Sequence, residues 1–250
     1  MNVLSLFAGI GGLELGLERA GMTVVGQVEI DPFCRRVLAR HWPEVPKHDD
    51  VRTAPGWWTG AVRPAADVVA GGFPCQPFSL AGLRHGTGDE RWGWPWMAAV
   101  VRAVRPRYVV VENVAALLRD RDAFGWLLGD LADLGFDAEW SVLSACALGA
   151  PHPRERLFLV AHANGGDGLQ RLGTGPPQRL SWLPGRASAR TCGRAGARAW
   201  RDRVAGAVEA SRTDDREADG AARWMVTAGG NAVVPAVAEH IGRLITGVAA

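Results

Sequence analysis

Lysine is all but missing from this chain of 250 residues: Lys47 stands alone among 28 basic side chains, and the rest are arginine. Positive charge is therefore nearly all guanidinium, a flat fork of donors that grips phosphate or guanine bidentately. Cysteine is scarce too. Cys34, Cys75, Cys146 and Cys192 are widely spaced and form no C-x-x-C pair, which argues against zinc ribbons and disulfide frameworks and leaves each thiol as core or catalyst. No apolar run approaches the roughly 20 residues of a membrane span, so no membrane association is expected. MNVLSLFAGIGG has a glycine cluster and no basic leader, so a secretory signal is not expected and an intracellular protein is.

What is present reads as globular. The fractions of 48% hydrophobic and 22% charged residues suit one sizeable core with at most a small appendage, and no metal cluster is indicated. The net charge of +2 hides an uneven distribution. Between Gln170 and Arg203 stand eight arginines and one acid, Asp202, so this segment carries +7 and the remainder is net acidic. A GC-rich genome accounts for arginine in place of lysine but not for the clustering.

Along residues 1–163, β-rich runs alternate with helical patterns, as in βαβ units around a parallel sheet. Strands are expected at Val3–Phe7, Thr23–Glu29, Asp67–Ala70, Tyr108–Glu112, Asp137–Ser144 and Leu157–Ala161. Helices are expected near Gly12–Ala20, Pro32–His41, Trp94–Val104 and Ala123–Leu134, with Pro32 and Pro95 suited to first helical turns. From 164 to 225 the pattern dissolves into Gly, Pro, Arg and Ser, which reads as an insert or small second domain. The segment 226–250 regains an apolar helical period over Asn231–Ile245 and is expected to return to the first domain.

Several segments carry chemistry. FAGIGG (Phe7–Gly12) joins a strand to a helix, a turn that passes close under a ligand and presents free N–H groups. Glu29 ends the next strand where doubly wound folds place a ribose-binding carboxylate, and Asp50-Val51 adds a second acid. Both a nicotinamide dinucleotide and S-adenosylmethionine fit at this point. In GGFPCQPFS, Cys75 sits between Pro74 and Pro77, stiff and at the carboxyl edge of the sheet, where a thiolate is a potent nucleophile once activated. YVVVENV places Glu112 after four apolar residues at the expected end of a strand, where desolvation keeps a carboxyl protonated and able to act as a general acid.

FAGIGG, Glu29, GFPCQPFS, DERW, ENV, PHPRER and GNAVVP, in this order, resemble the motifs of the DNA (cytosine-5) methyltransferases, in a short form similar to bacterial or phage enzymes. The resemblance covers roughly residues 1–162 and 229–247. It implies an α/β fold, a doubly wound, mostly parallel sheet of the S-adenosylmethionine-dependent methyltransferase type with a small irregular target-recognition insert. It further implies DNA methylation of the restriction-modification kind, in the cytoplasm of a bacterial or phage-infected cell, by a monomer acting on double-stranded DNA without a metal.

The resemblance assigns Cys75 to attack on cytosine carbon 6, Glu112 to ring nitrogen 3, and Arg154 and Arg156 to the flipped base and its phosphate, with their charge also available to the thiolate. Phe7, Gly9, Gly11, Glu29, Ile30, Asp50, Val51, Pro74 and Asn231 would contact S-adenosylmethionine. Gln76, Ser79 and Arg91 would meet DNA, as would Arg179, Arg186, Arg190 and Arg194 of the basic insert. Two departures stand out: His152 replaces a frequent Gln, and only about 65 residues separate PHPRER and its strand from GNAVVP, without the usual arginine-containing motif. A nicotinamide oxidoreductase accounts for FAGIGG and Glu29 but leaves PCQ, ENV and the basic insert idle. An inactive DNA-binding relic has no use for Cys75 and Glu112 together.

Overall fold

The computed structural model describes residues 1–75, 92–148, 150, 154–164 and 232–247. Seven strands form one sheet: β1 (Asn2–Leu6), β2 (Thr23–Val28), β3 (Lys47–His48), β4 (Val68–Gly71), β5 (Tyr108–Val114), β6 (Phe136–Ser144) and β7 (Glu155–Ala163), in the order β3-β2-β1-β4-β5-β7-β6. The first five are parallel, and β7 runs antiparallel between β5 and β6. This is the expected mostly parallel sheet. The central strands read as continuous Val/Leu runs because helices cover both their faces.

Six α-helices are described: α1 (Gly12–Arg19), α2 (Pro32–His41), α3 (Ala54–Thr59), α4 (Trp94–Val104), α5 (Arg121–Asp133) and α6 (Pro235–Thr246). On one face, Trp58 of α3, Trp94, Met97 and Val101 of α4, and Leu127 and Leu131 of α5 bury against Leu4, Val69, Val109 and Leu159. On the other, Leu13 and Leu17 of α1 and Val237, Ile241 and Ile245 of α6 pack on Val3, Val68, Val110 and Phe158. The late helix α6 packs against α1 on this face of the sheet. It lies close on α1 because Gly16 and Gly242 have no side chains: a Cβ at Gly16 would strike Ala238, and one at Gly242 would strike Ala20.

Several boundaries differ from expectation for local reasons. β1 stops at Leu6 because Phe7 adopts a positive φ of 53° and turns the chain out of the sheet. The strand β3 and helix α3 were not foreseen: the first has two residues and the second contains Pro55 and Gly56, too little for a periodic signal. α6 begins at Pro235, not Asn231, with proline at its first turn. Cys34 and Cys75 are free thiols, but Cys146 is disulfide-bonded, against the expectation for this chain. Beyond Asn164, the expected insert lies outside the described residues.

Candidate active site

The turn after β1 is held from the end of β2. Ala8 N–H donates to Val28 O at 3.1 Å, and Gly9 N–H donates to Glu29 Oε2 at 2.7 Å. The other carboxylate oxygen of Glu29 accepts Asp31 N–H at 2.8 Å. Gly9 and Gly11 have φ of 56° and 92°, and a Cβ at Gly11 would strike the Trp42 indole. A Cβ at Gly12 would strike the carbonyl oxygen of Val233, so the segment entering α6 closes over this turn. Beyond Glu29, Ile30 exposes 69% of its surface, an apolar shelf beside the glycine turn.

Asp50 is paired with its neighbour Arg52. Both its carboxylate oxygens are engaged by Arg52, with an ion pair of 2.7 Å, and this pairing holds its carboxyl below the usual range. Val51 is buried beneath it in the core.

β4 ends at Gly71, and the chain continues as Gly72-Phe73-Pro74-Cys75 beside β5. Asn113 Nδ2 donates to the Phe73 carbonyl at 3.1 Å, and its own Oδ1 accepts Val114 N–H at 2.8 Å. Gly93 N–H donates to Pro74 O at 3.1 Å, and Cys75 pairs with Trp92 as a single antiparallel bridge. Phe73 packs edge-on against Trp92 with centroids 5.2 Å apart. The loop that carries the thiol is thus fixed on both sides. Burial, with the Asp120 charge second, pushes the Cys75 thiol up to about 12.

Glu112 lies inside β5, not at its end as expected, and is 8% exposed. A Cβ at Gly72 would come within 2.7 Å of its Oε2, so carboxyl and thiol loop are in contact across neighbouring strands. Arg156 Nε stands 3.2 Å from Glu112 Oε1. Burial raises the Glu112 carboxyl, opposed by the charges of Arg156 and Arg154. Arg154 and Arg156 line one crevice together with Glu112, Val233 and Val237. Their charges act on Glu112 and favour its ionised form.

Sequence reasoning missed Asn113, Gly93 and Gly72 as parts of the site. The Gly71-Gly72 pair before FPC was the available signal for the last. Gln76, Ser79, Arg91, His152, Arg179, Arg186, Arg190, Arg194 and Asn231 lie outside the described residues. Among the described residues no group of three metal-ligating side chains occurs, and no helix is long and apolar enough to cross a membrane.

Residues 1–173, which hold all of this geometry except the segment entering α6, match the C-5 cytosine-specific DNA methylase family. The chain belongs to that family. Among curated methylases it is similar to the Type II methyltransferase M2.BsuMI of Bacillus subtilis, 35% identical over 168 residues, 64% of this chain and 42% of that protein. It is also similar to M.NaeI of Lentzea aerocolonigenes, 35% identical over 171 residues, 66% of this chain and 40% of that one. The chain thus spans less than half the length of these methylases. Of solved structures, a putative DNA modification methyltransferase from an Escherichia coli prophage aligns with TM-score 0.58 at 24% identity, over 74% of this chain and 51% of its own. The DNMT2 of Spodoptera frugiperda, solved as a triple mutant, aligns with TM-score 0.57 at 20% identity, over 71% and 53%. Both share the methylase fold.

Proposed function

We propose that this protein transfers a methyl group from S-adenosylmethionine to carbon 5 of cytosine in double-stranded DNA, through a covalent Cys75 adduct on a flipped-out base. The observation that carries the reading is the contact between thiol loop and buried acid: Gly72 leaves room for Glu112, and Asn113 holds Phe73. The residues present fit the donor. The turn is glycine-lined, is tied to a carboxylate at the end of β2, and is open at Gly9, where a Cβ would meet no neighbouring atom. Glu29 would take the ribose hydroxyls, Phe7 and Ile30 the adenine, and Asn231 the far end. Asp50, engaged by Arg52, would offer only its remaining lone pairs. The donor supplies an electrophilic methyl group.

Cytosine carbon 5 is unreactive until a nucleophile adds at carbon 6, and Cys75 thiolate makes that bond. Glu112 then donates its proton to ring nitrogen 3, drawing off the charge and leaving carbon 5 enamine-like. After methylation the carbon 5 proton passes to solvent, the Cys75–carbon 6 bond breaks with its electron pair returning to sulfur, nitrogen 3 returns its proton to Glu112, and aromaticity is restored. Arg154 and Arg156 hold the base and its phosphate while their charge steadies Glu112. A paired base exposes neither face, so it must leave the stack, at a cost of about a few kcal/mol. A thiol pushed up to about 12 is almost wholly neutral in the free protein, so its activation belongs to the DNA-bound state.

The basic insert at 164–225 would be the target-recognition region and 226–250 the return of the chain. Incubation with mixed-sequence DNA and labelled S-adenosylmethionine tests the reading. Label in cytosine supports it, and donor binding without transfer points to a protein that binds but does not catalyse.

A further inference from the structure

Ser5, Glu14 and Gln27 form a polar cluster inside the core that the site described above does not use. Ser5 and Gln27 stand opposite each other in the β1–β2 register, and Glu14 lies in the first turn of α1, two residues past Gly12. All three are fully buried. Ser5 Oγ, both Glu14 carboxyl oxygens and both amide atoms of Gln27 complete no hydrogen bond, although the Ser5 hydroxyl is near enough to favour an ionised Glu14. Buried polar atoms without partners are rare and ask for a functional reason.

The charges around the cluster supply one. Glu18 and Arg19 share its helix, Glu29 ends β2, Cys34 sits on α2, and Glu239, His240 and Arg243 lie on α6. Of these, the charges felt at Glu14 are those of Glu29 and Glu18, both negative. Arg243 is paired with Glu239 at 2.8 Å, and Arg35 of α2 is turned onto the carbonyls of Glu29 and Ile30. Burial raises the Glu14 carboxyl to about 7. Two acids therefore flank the glycine turn, Glu29 bonded to Gly9 and Glu14 just below in α1, and the charges of Glu29 and Glu18 both oppose ionisation of Glu14.

We propose that Glu14 is a titrating counter-charge for the sulfonium of the methyl donor, a residue that sets preference for the cationic donor over its neutral thioether product. On donor binding the Glu14 carboxyl gives its proton to solvent, and on loss of the positive charge it takes one back. The inference rests on the donor reading above. S-Adenosylmethionine and S-adenosylhomocysteine differ by one methyl and one positive charge, so their comparison isolates the effect. A unit charge about 10 Å away at an effective dielectric of about 20 shifts such an equilibrium roughly tenfold.

Calorimetry near pH 7, in two buffers of different ionisation enthalpy, reads the proton directly. The unaltered protein should release a fraction of a proton on binding S-adenosylmethionine and less on binding S-adenosylhomocysteine. Glu14→Gln should abolish the difference and lower the donor-to-product affinity ratio by roughly three- to tenfold. Equal proton release for both ligands in the unaltered protein overturns the proposal without any variant, as does an unchanged ratio in folded Glu14→Gln. If neither ligand binds, the donor reading falls first and this inference with it.

Discussion

Arg156 Nε stands 3.2 Å from Glu112 Oε1, the guanidinium on β7 and the carboxyl on β5 meeting across an antiparallel register. Burial pushes the Glu112 proton on and Arg156 pulls it off. Arg156→Gln removes the pull, so Glu112 should stay protonated to higher pH. The basic limb of the kcat profile should then move upward while kcat itself falls as the hold on the base weakens. A pH-rate profile of the variant checks the direction, and a downward move contradicts it.

Gly72→Ala places a Cβ within 2.7 Å of Glu112 Oε2. The carboxyl must move by several tenths of an ångström, and since a misplacement of about 1 Å costs about a hundredfold, a loss of roughly several-fold in rate is expected. Donor affinity should be nearly unaffected, because the glycine turn lies two strands from β5, beyond β4. Single-turnover rates and equilibrium binding separate the two.

Glu29→Ala removes acceptors from two backbone donors, Gly9 N–H and Asp31 N–H. Leaving them unpaired should cost about 1–3 kcal/mol of stability and weaken donor binding more than DNA binding. Denaturant titration and calorimetry measure both.

Glu14 also makes a stability prediction. Its carboxyl is raised from 4.5 to about 7, so the native state keeps a proton that the unfolded chain releases. Stability should fall as pH rises from about 4.5 to 7 and stay lower above. Glu14→Gln should remove that slope and gain up to about 3 kcal/mol at pH 8 relative to pH 4. Melting curves at the two pH values read it.

Much of this was legible in the sequence because the signals were local. Pro32 and Pro95 mark α2 and α4, whose expected and observed limits agree, and FAGIGG with Glu29 marks the glycine turn tied to the end of β2. What escaped depends on pairing between distant segments. Only the β4–β5 register puts Gly72 against Glu112, and only the fold brings Val233 over Gly12. Glu14 in LELGLE reads as an ordinary helical acid until Ser5 and Gln27 are found beneath it. The position of Cys75 was readable, but its raised thiol pKa was not, since burial is a tertiary property.

In the basic segment, replacing Arg179, Arg186, Arg190 and Arg194 together by Gln should weaken binding to all DNA sequences. The log–log salt slope should flatten by about one for each arginine that no longer neutralises a phosphate. Unchanged affinity and slope would remove this segment from the DNA interface.

A bond between Cys75 and carbon 6 of cytosine is the step on which the proposed chemistry stands, and it can be trapped. With duplex DNA carrying 5-fluorocytosine at the target and S-adenosylmethionine present, the carbon 5 fluorine cannot leave as a proton does. The protein should then accumulate as a covalent complex whose DNA remnant maps by mass spectrometry to Cys75, and Cys75→Ser should form none. Methylation of ordinary DNA without any adduct on Cys75, or an adduct on another residue, would show that Cys75 is not the nucleophile.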